Sequence, residues 1–539
     1  MQKKITFGKE AREKILSGVQ KIVRAVSVTM GASGKCILIG EGYYGNDGLV
    51  QLPTRVTKDG WSVSKHVQLE DVEENRGCLI IREAAQKTVE QAGDSTTLCC
   101  VVAGAIIEGG MQLVNDGANS QEIKKGIDAA VEEVVTELKN MSIPVAGDNN
   151  KLYQVASVSA NNDKAIGKYI ADAFAKIGDG GVIDIEESKT VNTEIKISDG
   201  YKWDKGWVSP LFVNNKPKEL CEFADTLILL YEKKVTHHTQ IETAVQISMQ
   251  MGKPLVIVCE DSDEEGLAFL AMNNVQKRIS VCVVKAPFSS VRGEGMEDIA
   301  AITGATYISD IHGISIKDVE LKHFGTAKKV IISKDETVII GGGAVPEQLE
   351  NFVNELKMNL AEAKSDEDKN PIEKRIAKLT SGVAVIQVGA ATETELNEKL
   401  DRYDDAIRST KAAISEGIVA GGGTAFLRIS QKLNSKLPLV SSKEYTNTDF
   451  DKGKQLIYDI LTKPLLQISE NAGVDANKVL EDVSNAEGNF GYNVISGKVE
   501  DLIESGIIDS TKALRCALVN AASVSGMALT SECLIVVVS

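Results

Sequence analysis

The sequence is short of aromatic residues: 3 Trp, 11 Tyr and 11 Phe make 5% of 539 positions. So few rings leave little for stacking nucleobases. Positive charge is short too, with 60 Lys and Arg against 76 Asp and Glu and a formal net charge of −16. An acidic chain repels polyphosphate, which argues against nucleic acid as its main partner. No uninterrupted run of about 18 apolar residues is present, so no membrane span is expected. The opening MQKKITFGKEAREKI lacks the apolar stretch of a signal peptide and carries acidic residues that a transit peptide avoids. The nine Cys are odd in number, scattered and never in CxxC pairs, and Cys99 and Cys100 are adjacent. They read as buried thiols of a reduced compartment, the cytoplasm, rather than as a disulfide framework. The chain also lacks G-x-G-x-x-G after a strand and a G-x-S-x-G elbow, so a dinucleotide fold and a nucleophilic hydrolase find no support. The five His are scattered; His237 and His238 fall on different helix faces, and no Cys or carboxylate spacing completes a zinc site.

What is present is ordinary globular composition, 43% apolar and 25% charged, which excludes disorder and a fibrous protein. At about 100–200 residues per domain the length corresponds to about three to five domains. Residues 9–30 place Ile15, Val19, Ile22, Val23 and Val26 at helical spacing and end at Gly31-Ala32-Ser33-Gly34. A short strand at 36–39 and a Gly/Tyr/Asn-rich loop at 40–53 follow, the loop read as a hairpin or exposed projection. Helices are expected at 70–92, 98–115 and 120–140. Near residue 180 the pattern changes to short β-branched runs, among them GGVIDIEE, DTLILLY, KPLVIVCED and SVCVVKAP, with helical patterns at 236–251 and 264–278 between them. That alternation reads as α/β. After Pro346 the chain reads as helical again, and Cys533–Val538 is an apolar β run that must add to a sheet in this subunit or a neighbour. The fold class is therefore multidomain α and α/β, in the order α, α/β, α.

Several segments carry chemistry. Gly93-Asp94-Ser95-Thr96-Thr97 lies between two helices, where free N–H groups and partial positive charge suit phosphate and Asp94 suits Mg²⁺. An ordinary Asp or Ser N-cap explains the same residues equally well. Gly31-Ala32-Ser33-Gly34-Lys35 resembles a phosphate loop, but Thr29 and Cys36 break the Walker A pattern and a helix C-cap turn is the alternative. Thr57-Lys58-Asp59-Gly60 looks like a turn before a strand. Gly421-Gly422-Gly423 permits close backbone approach, which alone is weak. The helix at 236–251 shows two apolar stripes, Ile241/Val245/Met249 and Ala244/Ile247/Met251. One should face a sheet; the other is either exposed to bind something apolar or buried as well.

Taken in order, VTMGASGK, VTKDG, QLEDVEENRG, QAGDSTT, VCVVKAPF, GVAVIQVGAATETE, YDDAIRSTKAAISEGIVAGGG, GYN and GIIDSTK resemble the group I chaperonins of the GroEL type nearly from end to end. The resemblance implies a mainly helical equatorial ATP-binding domain at 1–142 and 417–539, a small intermediate domain at 143–198 and 383–416, and an α/β apical polypeptide-binding domain at 199–382. It implies nucleotide contacts from Thr29, Met30, Gly31, Ala32, Lys58, Asp94, Ser95, Thr96, Thr97, Leu98, Gly421, Gly422, Asn493, Val494, Ile495, Ile507 and Asp509. Asp59 and Asp405 would act on the attacking water, and Asp94 would hold Mg²⁺. Trp207, Leu211, Phe212, Val245, Leu267, Ala271 and Met272 would bind non-native polypeptide, and Pro144, Gly417, Gly200 and Gly382 would be hinges. ATP, Mg²⁺ and K⁺ are the implied cofactors. The implied partners are copies of the chain in seven-membered rings, single or stacked, unfolded clients, and a lid co-chaperonin, with no nucleic acid and no membrane.

Departures from the family pattern are plain. Ala32 replaces a usual Pro, Ser95 a usual Gly, and Val494-Ile495 two small residues. Leu98-Cys99 replaces a smaller pair, and Glu242 stands where the family has Leu. These changes suggest a specialised or virus-encoded member, acting in the host cytoplasm in the latter case. The expected function is ATP-driven folding of non-native polypeptides in a ring-shaped chamber. A non-hydrolysing holdase or scaffold on the same fold is the alternative, and joint retention of Asp59, Asp94 and Asp405 argues against it.

Overall fold

The computed structural model describes residues 2–538 except 41, 46–47, 52–53, 161–162, 179–180, 189, 217, 263, 288–292, 310–312, 363–365, 381 and 437–447. The chain forms two compact units, Met1–Ala171 with Asn397–Ser539, and Asp172–Leu396. Both boundaries fall inside the stretches 143–198 and 383–416 expected for an intermediate domain. The middle of the 40–53 loop, the SSVR of APFSSVRG and one member of the acidic run at 260–265 lie outside the described residues.

The first unit is helical. Its centre is Thr96–Asn115 packed on Thr511–Leu529, two helices apolar on nearly every face. A helix without a polar face finds its place inside a core. Thr96–Asn115 is long and apolar enough to cross a membrane, but most of it is buried in this core. The missed signal was composition: Gly, Thr and Glu108 interrupt the apolar run without making the helix polar. Small residues let the helices approach. The Ser525 Oγ donates to the Ala103 carbonyl at 3.2 Å, and Asn520 Nδ2 donates to Thr88 at 3.0 Å. Helices Gly8–Ser27 and Glu74–Ala92 cross at Gly18 and Gly77, where any Cβ would run into the partner's backbone. Cys78, Cys99 and Cys100 fill this core as small apolar side chains, Cys516 packs with Ala92 and Ala513, and all nine cysteines are free.

The terminal strand Cys533–Val538 pairs antiparallel with Gln2–Phe7 of its own chain, which the helical reading of the N-terminus did not include. A second ribbon joins Ile37–Ile39 to Arg55–Thr57, and Gly42–Gly45 pairs with Gly48–Gln51 as the expected hairpin. Asp59 caps the helix Gly60–His66, accepting from Trp61 N at 3.2 Å and Ser62 N at 2.7 Å. The expectation of a turn before a strand is thus corrected: the strand precedes the turn and a helix follows.

The second unit carries a mixed sheet of nine strands among the described residues. Val281–Lys285, Leu255–Cys259 and Cys221–Tyr231 run parallel and alternate with helices His238–Met251 and Glu264–Val275, as the sequence pattern predicts. Leu255–Cys259 is buried throughout, the usual state of a strand covered on both faces. Gly382–Val388 is a further strand of this sheet, in a region read as helical. Its run of Val, Ala and Ile is short and continuous, and such a run does not separate strand from helix by period. The long strand Glu194–Trp203 changes partner midway: Glu194–Asp199 pairs with Gly382–Gln387, and Gly200–Trp203 with Thr337–Ile340. A buried ion pair ties Arg375 to Asp298 at 2.8 Å, with the Tyr201 hydroxyl 3.3 Å from the same carboxylate.

Candidate functional site

One cavity of about 410 Å³ lies in the first unit, and residues from nine separate chain segments line it. The first helix ends in the turn after Ser27, which places Thr29, Met30, Gly31 and Ala32 in the wall. Asn471 Nδ2 holds this turn by donating to the carbonyls of Ser27 and Met30 at 2.8 and 2.9 Å. The Thr29 hydroxyl meets that of Thr97 at 3.2 Å, joining the two glycine-containing loops. The C-cap reading of GASGK is therefore correct and compatible with a wall of the site.

The capping reading of Gly93–Thr97 fails. Helix Thr96–Asn115 starts without any side-chain cap, so its first N–H groups are left for something else. Asp94 instead accepts from Ser95 N and from the Ser409 hydroxyl, and Ser159 donates to Ser409 at 2.7 Å. Ser95 has φ of 67°, a left-handed conformation rare for a residue with a Cβ. Left-handed backbone costs an L-residue about 1–2 kcal/mol, and glycine returns about 0.4–1 kcal/mol of that through unfolded-state freedom. Ser95→Gly should therefore stabilise the protein by about 0.5–1 kcal/mol and raise its melting temperature. A lower melting temperature would show that the Ser95 side chain makes a compensating contact.

Four carboxylates share the cavity. Asp59, Asp94, Asp405 and Asp509 all line it, with Lys58 and Arg402 as the cations of the wall among the described residues. Burial pushes the Asp94 carboxyl up, and Asp59 adds to the shift. Asp405 is pushed well above the usual range by burial first, then by the charges of Asp59, Asp94 and Asp404. Asp509 is pushed up to about 7, again by burial and by Asp94. Like charges held together in a buried wall raise one another's proton affinity. Among the described residues no cluster of three His, Cys, Asp or Glu could enclose a metal alone. A cation here would share its ligands with a phosphate, which is how Mg²⁺ is usually held beside a nucleotide.

At the other end of the wall, the hairpin Phe490–Asn493 and Lys498–Asp501 presents Asn493, Val494 and Ile495. The Asn493 side chain is occupied locally: Nδ2 donates to Glu500 at 2.6 Å and Oδ1 accepts from Ile495 N at 2.9 Å. Leu98 and Ile507 also line the cavity, as does Gly422. Gly421 does not. It sits behind the wall with its N–H donated to the Ile507 carbonyl at 3.0 Å. Arg402 and Ser159 line the cavity from outside any quoted motif, and Ser409, Tyr492 and Ser510 line it from within YDDAIRST, GYN and GIIDSTK, where they had been given no role.

A model of the TCP-1/cpn60 chaperonin family matches residues 22–538. The chain belongs to this family. It is a divergent chaperonin of the GroEL type, an ATP-binding and ATP-hydrolysing protein that works on the folding of other polypeptides. Among solved structures, the fold is shared with the chaperonin gp146 from bacteriophage EL 2 (Pseudomonas aeruginosa), determined in the presence of ATP-BeFx. That likeness has a TM-score of 0.71 at 20% identity and covers 99% of each chain. Membership implies oligomeric rings and client binding.

The chaperonin's expected client face lies in its second unit. Leu211 and Met272 are 54% and 58% exposed, and Trp207 and Leu267 are half-buried. Phe212, Val245 and Ala271 are buried, which corrects the expectation of an exposed seven-residue face. Val245 belongs to the single stripe Ile241, Ala244, Val245 and Ser248 that packs inward, so the two expected stripes are each split between core and surface. Phe212 closes the one-turn helix Pro210–Phe212 against the core, and Ala271 packs beside Leu270. The apolar surface left over is Leu211, Met249, Met251, Met272 and Val275. Glu242 is exposed and has no partner among the described residues, while Lys253 lies 3.9 Å from Asp225. His237 and His238 converge on Glu265 at 2.9 and 3.4 Å rather than facing apart, because His237 is the N-cap residue, outside the helical turn.

Of the expected hinges, Gly417 has φ of 80°, and a Cβ there would strike Ser142 and the Ile143 carbonyl. Ile143 and Ile418 bridge beside it, with exposed Pro144 next in the chain. Gly200 and Gly382 have no left-handed backbone; they are strand residues at the point where Glu194–Trp203 changes partner.

Proposed function

We propose that the cavity binds ATP together with Mg²⁺ and hydrolyses it by the concerted work of Asp59, Asp94 and Asp405. The observation that carries this is the convergence of three carboxylates, with no ion pair among the described residues, on an uncapped helix N-terminus within one cavity. The N–H groups of Thr96 and Thr97, with Thr29 to Ala32 and Lys58, bind the phosphates. Asp94 holds Mg²⁺, which when bound neutralises developing charge on the phosphates. Asp59, fixed by its two cap bonds, orients water, and Asp405 accepts the proton of that water with its raised affinity. Asp509 receives the ribose, and Asn493, Val494, Ile495 and Ile507 receive the base, with Leu98 and Gly422 completing the wall. K⁺ serves as a further counter-ion in so acidic a wall. The holdase reading gives no reason to gather these like charges at the cost of their mutual repulsion.

In this reading the chain has the three-domain division 1–142 with 417–539, 143–198 with 383–416, and 199–382. Pro144, Gly417, Gly200 and Gly382 act as hinges, supported by the positive φ of Gly417 and the partner change at Gly200. Closure of the segment bearing Asp405 then couples hydrolysis to domain movement. Seven copies form a ring, single or double, in the cytoplasm, with a lid co-chaperonin over the chamber. Leu211, Met272, Trp207 and Leu267 contact clients directly, and Phe212, Val245 and Ala271 support them from below. The test is ATP hydrolysis by the purified protein with and without Mg²⁺, with electron microscopy of the same sample. Mg²⁺-dependent turnover by seven-membered rings is expected. Intact rings that neither bind nor hydrolyse ATP would overturn the reading.

A further inference from the structure

The strand Ile508–Ser510 ends in the cavity wall, and Ser510 opens the helix Thr511–Leu529. A serine in this position ordinarily turns its hydroxyl onto the second or third N–H of its helix. Ser510 makes no such bond. Its Oγ is buried and has no hydrogen-bond partner, and the residue is 4% exposed. Its backbone is fixed, since Ser510 pairs with Ile418 and Thr511 N donates to the Gly417 carbonyl at 3.1 Å. Only the side chain is free to turn between staggered wells. An unpartnered buried hydroxyl weakens the folded state, so it persists where something else answers it.

We propose that Ser510 is a substrate-binding residue whose hydroxyl hydrogen-bonds the ribose of the bound nucleotide beside Asp509. This rests on the nucleotide reading above. The occupant follows from the chemistry of the wall. The phosphates are answered by the helix N-terminus at Thr96 and by Lys58, and the base meets apolar Val494 and Ile495. The sugar presents two adjacent hydroxyls, each a donor and an acceptor. An ionised Asp509 can only accept, so a group that can also donate completes the pair.

The experiment compares ATP, 2′-deoxy-ATP and 3′-deoxy-ATP as substrates of the assembled wild-type protein, Ser510→Ala and Ser510→Thr. Ser510→Ala should raise KM for ATP about three- to tenfold, the worth of one neutral hydrogen bond, with kcat within about twofold. The wild type should lose a similar factor on one of the deoxy substrates, and Ser510→Ala should show no further loss on that substrate. Ser510→Thr, which keeps the hydroxyl, should restore KM. Without nucleotide, Ser510→Ala should melt at the same or a higher temperature, because it removes an unpartnered polar atom. An unchanged KM with an unchanged deoxy penalty overturns the proposal, as does a lower melting temperature, which marks a structural role. A wild type that turns over no ATP overturns the nucleotide reading, and this proposal with it; turnover with an indifferent Ser510→Ala overturns this proposal alone.

Discussion

Replacing Asp405 by alanine should cut ATP turnover by about 10²–10⁴-fold and leave ATP binding intact. Asp405 touches the cavity from helix Glu393–Glu416 and makes no hydrogen bond within the described residues. A carboxylate retained for structure would be paired; this one is pressed by Asp59 and Asp94 and held well above its ordinary pKa. That arrangement suits a proton acceptor and destabilises the resting chain. The variant should therefore lose rate while its melting temperature stays level or rises, which separates a chemical role from a structural one. Asp94→Ala should lose the Mg²⁺-dependent activity altogether, since Asp94 is the carboxylate at the mouth of the uncapped helix. Steady-state hydrolysis and calorimetric ATP titration decide the matter. Hydrolysis by Asp405→Ala at the native rate would refute the assignment.

The elements with a clear period were legible in the sequence. The helices Gly8–Ser27 and Ser120–Met141 and the strands Leu255–Cys259 and Val281–Lys285 lie where alternation and helical spacing place them. Gly382–Val388 was not legible, because its short buried run has no period and, unlike Leu255–Cys259 and Val281–Lys285, stands among charge-rich helical stretches rather than in an alternation of β-branched runs and helices. The wall of the cavity was legible only through motifs. Asp94 and Thr96 stand in a glycine loop that draws notice, whereas Ser159 is a single serine with no local pattern, and Ser409 and Ser510 are overshadowed by the aspartates of YDDAIRST and GIIDSTK. They matter through distant neighbours, and sequence separation hides those. Burial on the client face was lost for a related reason. Val245 and Met249 are four residues apart on one helix, yet one is buried and the other 58% exposed, because a nearby packed element decides the edge of a stripe.

Removal of residues 533–539 should abolish ring assembly and leave monomers or aggregates. Within the chain, Cys533–Val538 and Gln2–Phe7 form a ribbon of only two strands, with Leu534 and Val536 buried against the helical core. Burying each of these side chains contributes about 1.5–3 kcal/mol, so the ribbon is anchored on one face. Its other face is bare: Ile5, Phe7, Ile535 and Val537 are 52%, 65%, 55% and 41% exposed. The ribbon of Ile37–Ile39 and Arg55–Thr57 exposes Leu38 at 71% and Val56 at 59%. Two-stranded ribbons with open edges and apolar outer faces are marginal in water and invite strand addition. A second copy of the chain offers the complementary edge, and a repeated head-to-tail contact of this kind closes into a ring. Because deletion also removes anchored residues, Leu38→Glu is the sharper variant: it changes an exposed side chain and leaves the core alone. It should fold, by its far-ultraviolet circular dichroism, and sediment as a monomer. Native-sized rings from both the deletion and Leu38→Glu would show that assembly runs through another surface.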